Sequence, residues 1–317
     1  MRKKILGCFF LFFCLTSPVH RAIADDDLEA LRKLMGDIIS VRVEQKTTMA
    51  EAKDNIPPRQ SDQWDFKTGA RTLTVAYTRF LNHPPHFTGN HPSLTTGDMG
   101  VGFDGGSFHY WYRGNAIRVR INGADIMAAK PAKLTGAEEG EEGRLRMVWE
   151  LEEGGELALN FTVPESGQAI YSRIEIVPGD LFIRDIEIRL TCYPGGFAPA
   201  HRLPSHRWVV TSNGEWDIPH GYAGTNPEVP IEKGMDWIFY ADKLQSKGSL
   251  GLLVNVEEGP YGKVRMSSYG QITELVYPRE TRHIHLAFYA FETENPVSMQ
   301  SFKTSLEAER KKLKNIH

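Results

Sequence analysis

Residues 169–197 read AIYSRIEIVPGDLFIRDIEIRLTCYPGGF, two long alternating runs joined by Pro178-Gly179-Asp180. In the second run Phe182, Ile186, Ile188, Leu190 and Cys192 share one face, while Ile183, Asp185, Glu187, Arg189 and Thr191 share the other. This period of two marks a strand with one buried and one wetted side. Ile170, Ser172, Ile174 and Ile176 repeat it before the turn. Pro-Gly-Asp is turn chemistry, so the pattern predicts an antiparallel hairpin as the spine of a large β-sandwich.

The same reading places further strands. Residues 70–80 alternate cleanly, whereas 82–106, dense in Pro, Gly, His and Asn, predict a long loop of the kind that is functional or disordered in compact domains. Two more hairpins are predicted: 107–113 with 116–122 across Gly114-Asn115, and 144–151 with 156–163 across 152–155. A proline-rich polar stretch surrounds a short strand at 207–211, and strands at 235–241, 249–256, 263–267, 272–277 and 282–292 follow.

Leu28, Leu31, Leu34, Met35 and Ile38, behind Asp25 to Asp27, predict an amphipathic helix over 27–39. The β-branched residues after it favour a strand. Asn295-Pro296 opens a terminal helix with Phe302, Leu306 and Leu313 along one face. The fold class expected is all-β, a large antiparallel β-sandwich with short N- and C-terminal helices. Its parts are a helical or extended segment over 25–60, the sandwich over 61–295, and a C-terminal helix over 296–317 packed on it.

Arg2, Lys3 and Lys4, the apolar run from Ile5 to Leu15 and the small-residue Ala22-Ile23-Ala24 have the layout of a secretory signal peptide cleaved near Ala24. The apolar run is too short to span a bilayer. The expected location is therefore secreted or periplasmic. Cleavage removes Cys8 and Cys14, leaving Cys192 as a buried-face thiol with no disulfide partner. It also removes Arg2, Lys3, Lys4 and Arg21 but no acid, turning the formal charge of −3 into −7. Such a surface argues against nucleic acid as a partner.

Candidate chemistry gathers in two aromatic strands and one loop. On 107–113, His109, Trp111 and Arg113 share a face; His206 and Trp208 do so on the short strand. A Trp ring covers the apolar face of a pyranose while neighbouring polar groups bind its hydroxyls, so both patches suit saccharide recognition as well as plain packing. His201, Arg202, His206, Glu215, Asp217 and His220 lie within twenty residues of one another, which offers His206 or His220 as a proton carrier and Asp217 as its orienting or second group. His283 and His285 share a strand face at a spacing able to hold a metal, with His83, His86 and His91 available, but no tight metal motif is present and no cofactor is expected. The sequence contains no nucleophile elbow, P-loop or dinucleotide fingerprint.

The hairpins, the central pair ending Thr191-Cys192-Tyr193-Pro194-Gly195-Gly196-Phe197 and the late strand at 284–291 together make residues 65–292 similar to the galactose-mutarotase-like β-supersandwich. That resemblance, carried by strand order, implies carbohydrate in a groove on a concave face. The mutarotases' Asn-His catalytic motif is absent, so no catalytic residue follows from the resemblance. The expectation is an exported carbohydrate-binding or carbohydrate-processing protein. The alternative is a non-catalytic envelope or protein-interaction module.

Overall fold

The computed structural model describes residues 40–52, 58–81, 97–104, 116–129, 131–134, 136–195, 204–218, 226–267 and 270–315. The signal peptide, the helix expected over 27–39, the strand 107–113 and His83, His86, His91, His201, Arg202 and His220 lie outside them.

The first strands in chain order are β1 (Arg42–Ala50), β2 (Arg59–Lys67), β3 (Thr72–Phe80), β4 (Gly97–Phe103), β5 (Ile117–Ile121), β6 (Ala124–Asp125) and β7 (Lys133–Leu134). Next come β8 (Glu142–Glu150), β9 (Glu156–Pro164), β10 (Ala169–Val177), β11 (Ile186–Cys192), β12 (Arg207–Thr211) and β13 (Gly214–Asp217). The series ends with β14 (Glu228–Ile231), β15 (Trp237–Asp242), β16 (Gln245–Val254), β17 (Tyr261–Met266), β18 (Gln271–Tyr277), β19 (His283–Phe291) and helix α1 (Asn295–Lys314). Among the described residues these strands form two antiparallel sheets. The ten-stranded sheet runs β1-β2-β3-β4-β5-β11-β18-β17-β14 with β6 beside β5, and the nine-stranded sheet runs β13-β12-β15-β16-β19-β10-β9-β8-β7. The expected all-β sandwich is the fold of the chain.

The predicted spine needs correction. β10 pairs with β9 and β19 in one sheet, and β11 pairs with β5 and β18 in the other. Residues 178–185 therefore carry the chain across the sandwich rather than round a hairpin. Ile170, Ile174 and Ile176 of β10 and Ile186, Ile188, Leu190 and Cys192 of β11 belong to one buried cluster. Alternation records which side of a strand is buried, and two strands facing each other through a core carry the same signature as two strands side by side. At the crossover Gly179 has φ +58°, and a Cβ there would lie 2.6 Å from the Glu153 carbonyl oxygen. The alternation also begins later than expected, at Ile186, since Phe182 is 68 % exposed and Ile183 is 4 % exposed.

One other reading changes, and a strand appears that the alternation did not predict. The loop expected over 82–106 contains β4, where Met99, Val101 and Phe103 point into the core between glycines. The polar run RQSDQWDFK is β2, which sends Trp64 and Phe66 inward and keeps Gln63 and Asp65 on the other face. The hairpin of 144–151 with 156–163 does form, as β8 paired to β9 from Glu142↔Pro164 to Glu150↔Glu156.

Helix α1 lies on the outer face of the nine-stranded sheet, against β16 and β19. Pro296 in its first turn costs no hydrogen bond. Asn295 ties that end to the sheet by donating to the carbonyls of Asp242 and Gln245 at 3.0 and 2.9 Å. Phe302 fills the space over Gly251, where a Cβ would meet its ring at 2.9 Å, and packs edge-on against Trp237 at 6.0 Å. The helix thus divides this outer face into a β12–β13 side and a β8–β10 side.

Candidate functional site

On the β8–β10 side the sheet and the last turns of α1 line an open cavity of about 800 Å³, within the range of small-molecule sites. Strand register builds its floor. Arg146 stands opposite Asn160, Asn160 opposite Arg173, and Arg173 opposite His285, one row across four strands. Glu175 lies two residues beyond Arg173 and therefore on the same face.

These groups lock one another. Arg146 donates to Asn160 Oδ1 and to Glu175 Oε2, both at 2.7 Å, and Arg173 meets Glu175 Oε1 at 2.9 Å. Asn160 donates in turn to the Arg173 carbonyl at 3.2 Å. Burial works to raise the Glu175 pKa, but the hydrogen bond from Arg146 and the charges of Arg173 and Arg146 outweigh it and hold the carboxylate below its ordinary range.

The helix wall is as firmly held. Glu309 of α1 accepts from the Tyr171 hydroxyl, from the Tyr289 hydroxyl at 2.7 Å and from Lys312 at 2.8 Å. Burial, reinforced by Glu309, pushes the pKa of both tyrosines up, so they remain donors. The cationic side chains around the cavity all have acidic partners. Arg144 has Glu142 at 3.4 Å, Lys311 has Glu307 at 3.7 Å, Lys312 has Glu309, and Arg146 and Arg173 share Glu175. The result is a nearly neutral, preorganised set of donors and acceptors, suited to an uncharged polyhydroxylated ligand.

On the other side of α1 the structure brings together Trp208 and Asp217, with His206 in the turn that leads into β12. Trp208 and Asp217 are opposite each other in the β12–β13 register. Trp208 is half-buried, donates through its indole N–H to Glu215 Oε1 at 2.6 Å and packs edge-on against Phe239 at 6.0 Å. Asp217 is ion-paired with Lys243, whose backbone N–H donates to the His206 carbonyl at 2.8 Å. His109, Trp111, Arg113, Arg202 and His220, the other residues singled out from the sequence, lie outside the described residues.

His285 Nδ1 contacts Glu258 Oε1 at 2.6 Å, and the His285 backbone N–H also reaches Glu258, at 3.0 Å to Oε2. Burial raises the Glu258 pKa, partly offset by those bonds. Among the described residues no three His, Cys, Asp or Glu side chains converge as metal ligands. Sequence reasoning passed over Arg146, Asn160, Arg173 and Glu175. The available signal was the repeated placement of charged residues at strand period on β8 and β10, a face that a fully helix-covered sheet would have kept apolar.

No family model matches the chain, and no curated protein matches it. Solved structures do. An alpha-N-acetylgalactosaminidase from Bifidobacterium bifidum, in complex with Gal-NHAc-DNJ, aligns with 78 % of this chain at TM-score 0.50 and 10 % identity. The alignment covers 39 % of that enzyme. A GH36 alpha-galactosidase from Geobacillus stearothermophilus aligns over 73 % of this chain and 41 % of its own at TM-score 0.40 and 11 % identity. For a putative aldose 1-epimerase from Escherichia coli the figures are 78 % and 99 %, 0.37 and 8 %. The chain spans about two fifths of the length of the first of these, and what the likeness shows is the shared antiparallel sandwich.

Proposed function

We propose that the protein is an exported carbohydrate-binding or carbohydrate-processing β-sandwich whose principal saccharide site is the cavity beside the end of α1. The observation that carries this reading is the Arg146–Glu175–Arg173 network with Asn160 on the cavity floor. Sugar hydroxyls are recognised by fixed, planar donors and acceptors of this kind, because a rigid site loses little entropy on binding. A neighbour of the same fold is an alpha-N-acetylgalactosaminidase, which agrees with a carbohydrate ligand.

Any turnover is assigned to the β12–β13 side, where His206 would carry the proton and Trp208 and Asp217 would complete the surface. Export is assigned to the leader, with cleavage near Ala24. N-terminal sequencing of the released protein tests that step.

A thermal-shift screen of the mature protein against neutral mono-, oligo- and polysaccharides tests the function. A ligand at a hundred times its dissociation constant adds about 2.7 kcal/mol of stability. A shift of a few degrees with at least one saccharide is expected. Silence across the panel would move the assignment to a non-catalytic interaction module.

A further inference from the structure

We infer that the outer face of the ten-stranded sheet holds a second ligand site, independent of the cavity, in which Arg189, backed by Arg118, receives the carboxylate of an acidic ligand. The register sets this up. Arg189 on β11 stands directly opposite Arg118 on β5 and, on its other flank, opposite Glu274 on β18. Like charges directly opposite on one face of an antiparallel pair are destabilising.

Neighbouring cations on this face are provided for. Arg118 meets Asp125 at 2.5 Å and Arg120 meets Glu187 at 3.4 Å. Lys263 and Arg265 share Glu228 and Glu274 at distances between 2.9 and 3.8 Å. Arg189 makes no hydrogen bond and no ion pair with another described residue, and Glu274, the acid nearest in register, is already shared. It is also half-buried. Burial works against its charge, Glu274 supports that charge, and Arg118, Arg120 and Arg265 oppose it.

A guanidinium whose donors stay open to solvent, held by strand pairing on both flanks, is preorganised for an anion. Its planar fork matches a carboxylate, which can accept two parallel hydrogen bonds from it. A uronic-acid saccharide and a small organic acid share this chemistry.

The test is calorimetric titration of the mature protein with oligogalacturonate and with the same oligomer methyl-esterified, plus acetate as the bare carboxylate. The acid is expected to bind at least about tenfold more tightly than the ester, the worth of one charge-assisted contact. Arg189→Gln is expected to abolish that preference, while Arg279→Gln, at an exposed turn outside both sites, leaves it unchanged. Competition by acetate identifies a general carboxylate site, and its absence identifies an acidic saccharide site; both support the inference. Equal binding of acid and ester, no binding of either, or an Arg189→Gln variant with undiminished acid preference would overturn it. Should that variant fail to fold, hydrogen exchange on the wild type decides the matter: oligogalacturonate must protect β5 and β11, and protection confined to other strands refutes the site.

Discussion

The hydroxyl of Tyr289, on a central strand of the nine-stranded sheet, donates at 2.7 Å to Oε2 of Glu309 on helix α1. The same oxygen accepts from Tyr171, and Lys312 holds the other one. A carboxylate exposed by only 4 % thus joins the helix to two strands and fixes one wall of the cavity. Replacing it with an apolar residue leaves two buried hydroxyls without their acceptor. Glu309→Ala is expected to cost about 2–4 kcal/mol in urea unfolding, and Glu309→Gln, which keeps an acceptor, markedly less.

The same group makes stability depend on pH. Burial works to raise the Glu309 pKa, but hydrogen bonds from Lys312, Tyr171 and Tyr289 prevail and hold it below the ordinary carboxylate range. Glu175 and Asp65 are lowered in the same sense, by Arg146 and by Lys46 respectively, against the effect of burial. A carboxyl with a depressed folded-state pKa contributes stability above its unfolded value, about 4.3 for Glu, and loses it as pH falls through the depressed one. The melting temperature should therefore fall as pH drops below about 4. Glu309→Gln should flatten that slope.

Much of the architecture was legible in the sequence because period-two alternation survives wherever one strand face enters a core. The β8–β9 pair and the apolar face of α1 read correctly for that reason. Partner choice did not, as β10 and β11 demonstrate by sitting in different sheets. The cavity was missed for a related reason. Arg146, Asn160 and Arg173 are far apart in sequence and look like ordinary wetted positions until register sets them in one row.

The β12–β13 edge separates a binding role from a packing role. Trp208→Ala removes the ring packed on Phe239 and the bond to Glu215. A loss of stability is expected, together with lost saccharide response on this side of α1. His206→Gln is expected to leave the melting temperature and the saccharide affinity unchanged and to remove any turnover. Full turnover in His206→Gln would exclude it as the proton carrier.

Cys192 offers a probe of the core. It is fully enclosed, and burial pushes its pKa well up, so the reactive thiolate is suppressed. With the leader and its Cys8 and Cys14 removed, a thiol reagent should leave the native protein unmodified and label a single site once urea unfolds it, which can be followed by mass spectrometry.

The central claim is that saccharide binds over the Arg146–Glu175–Arg173 floor. Calorimetric affinity of Arg146→Ala for the neutral saccharide that most stabilises the wild type tests it directly. The expected result is a loss of at least about tenfold, equivalent to about 1.4 kcal/mol, with the fold intact by circular dichroism. An affinity equal to that of the wild type would contradict the account.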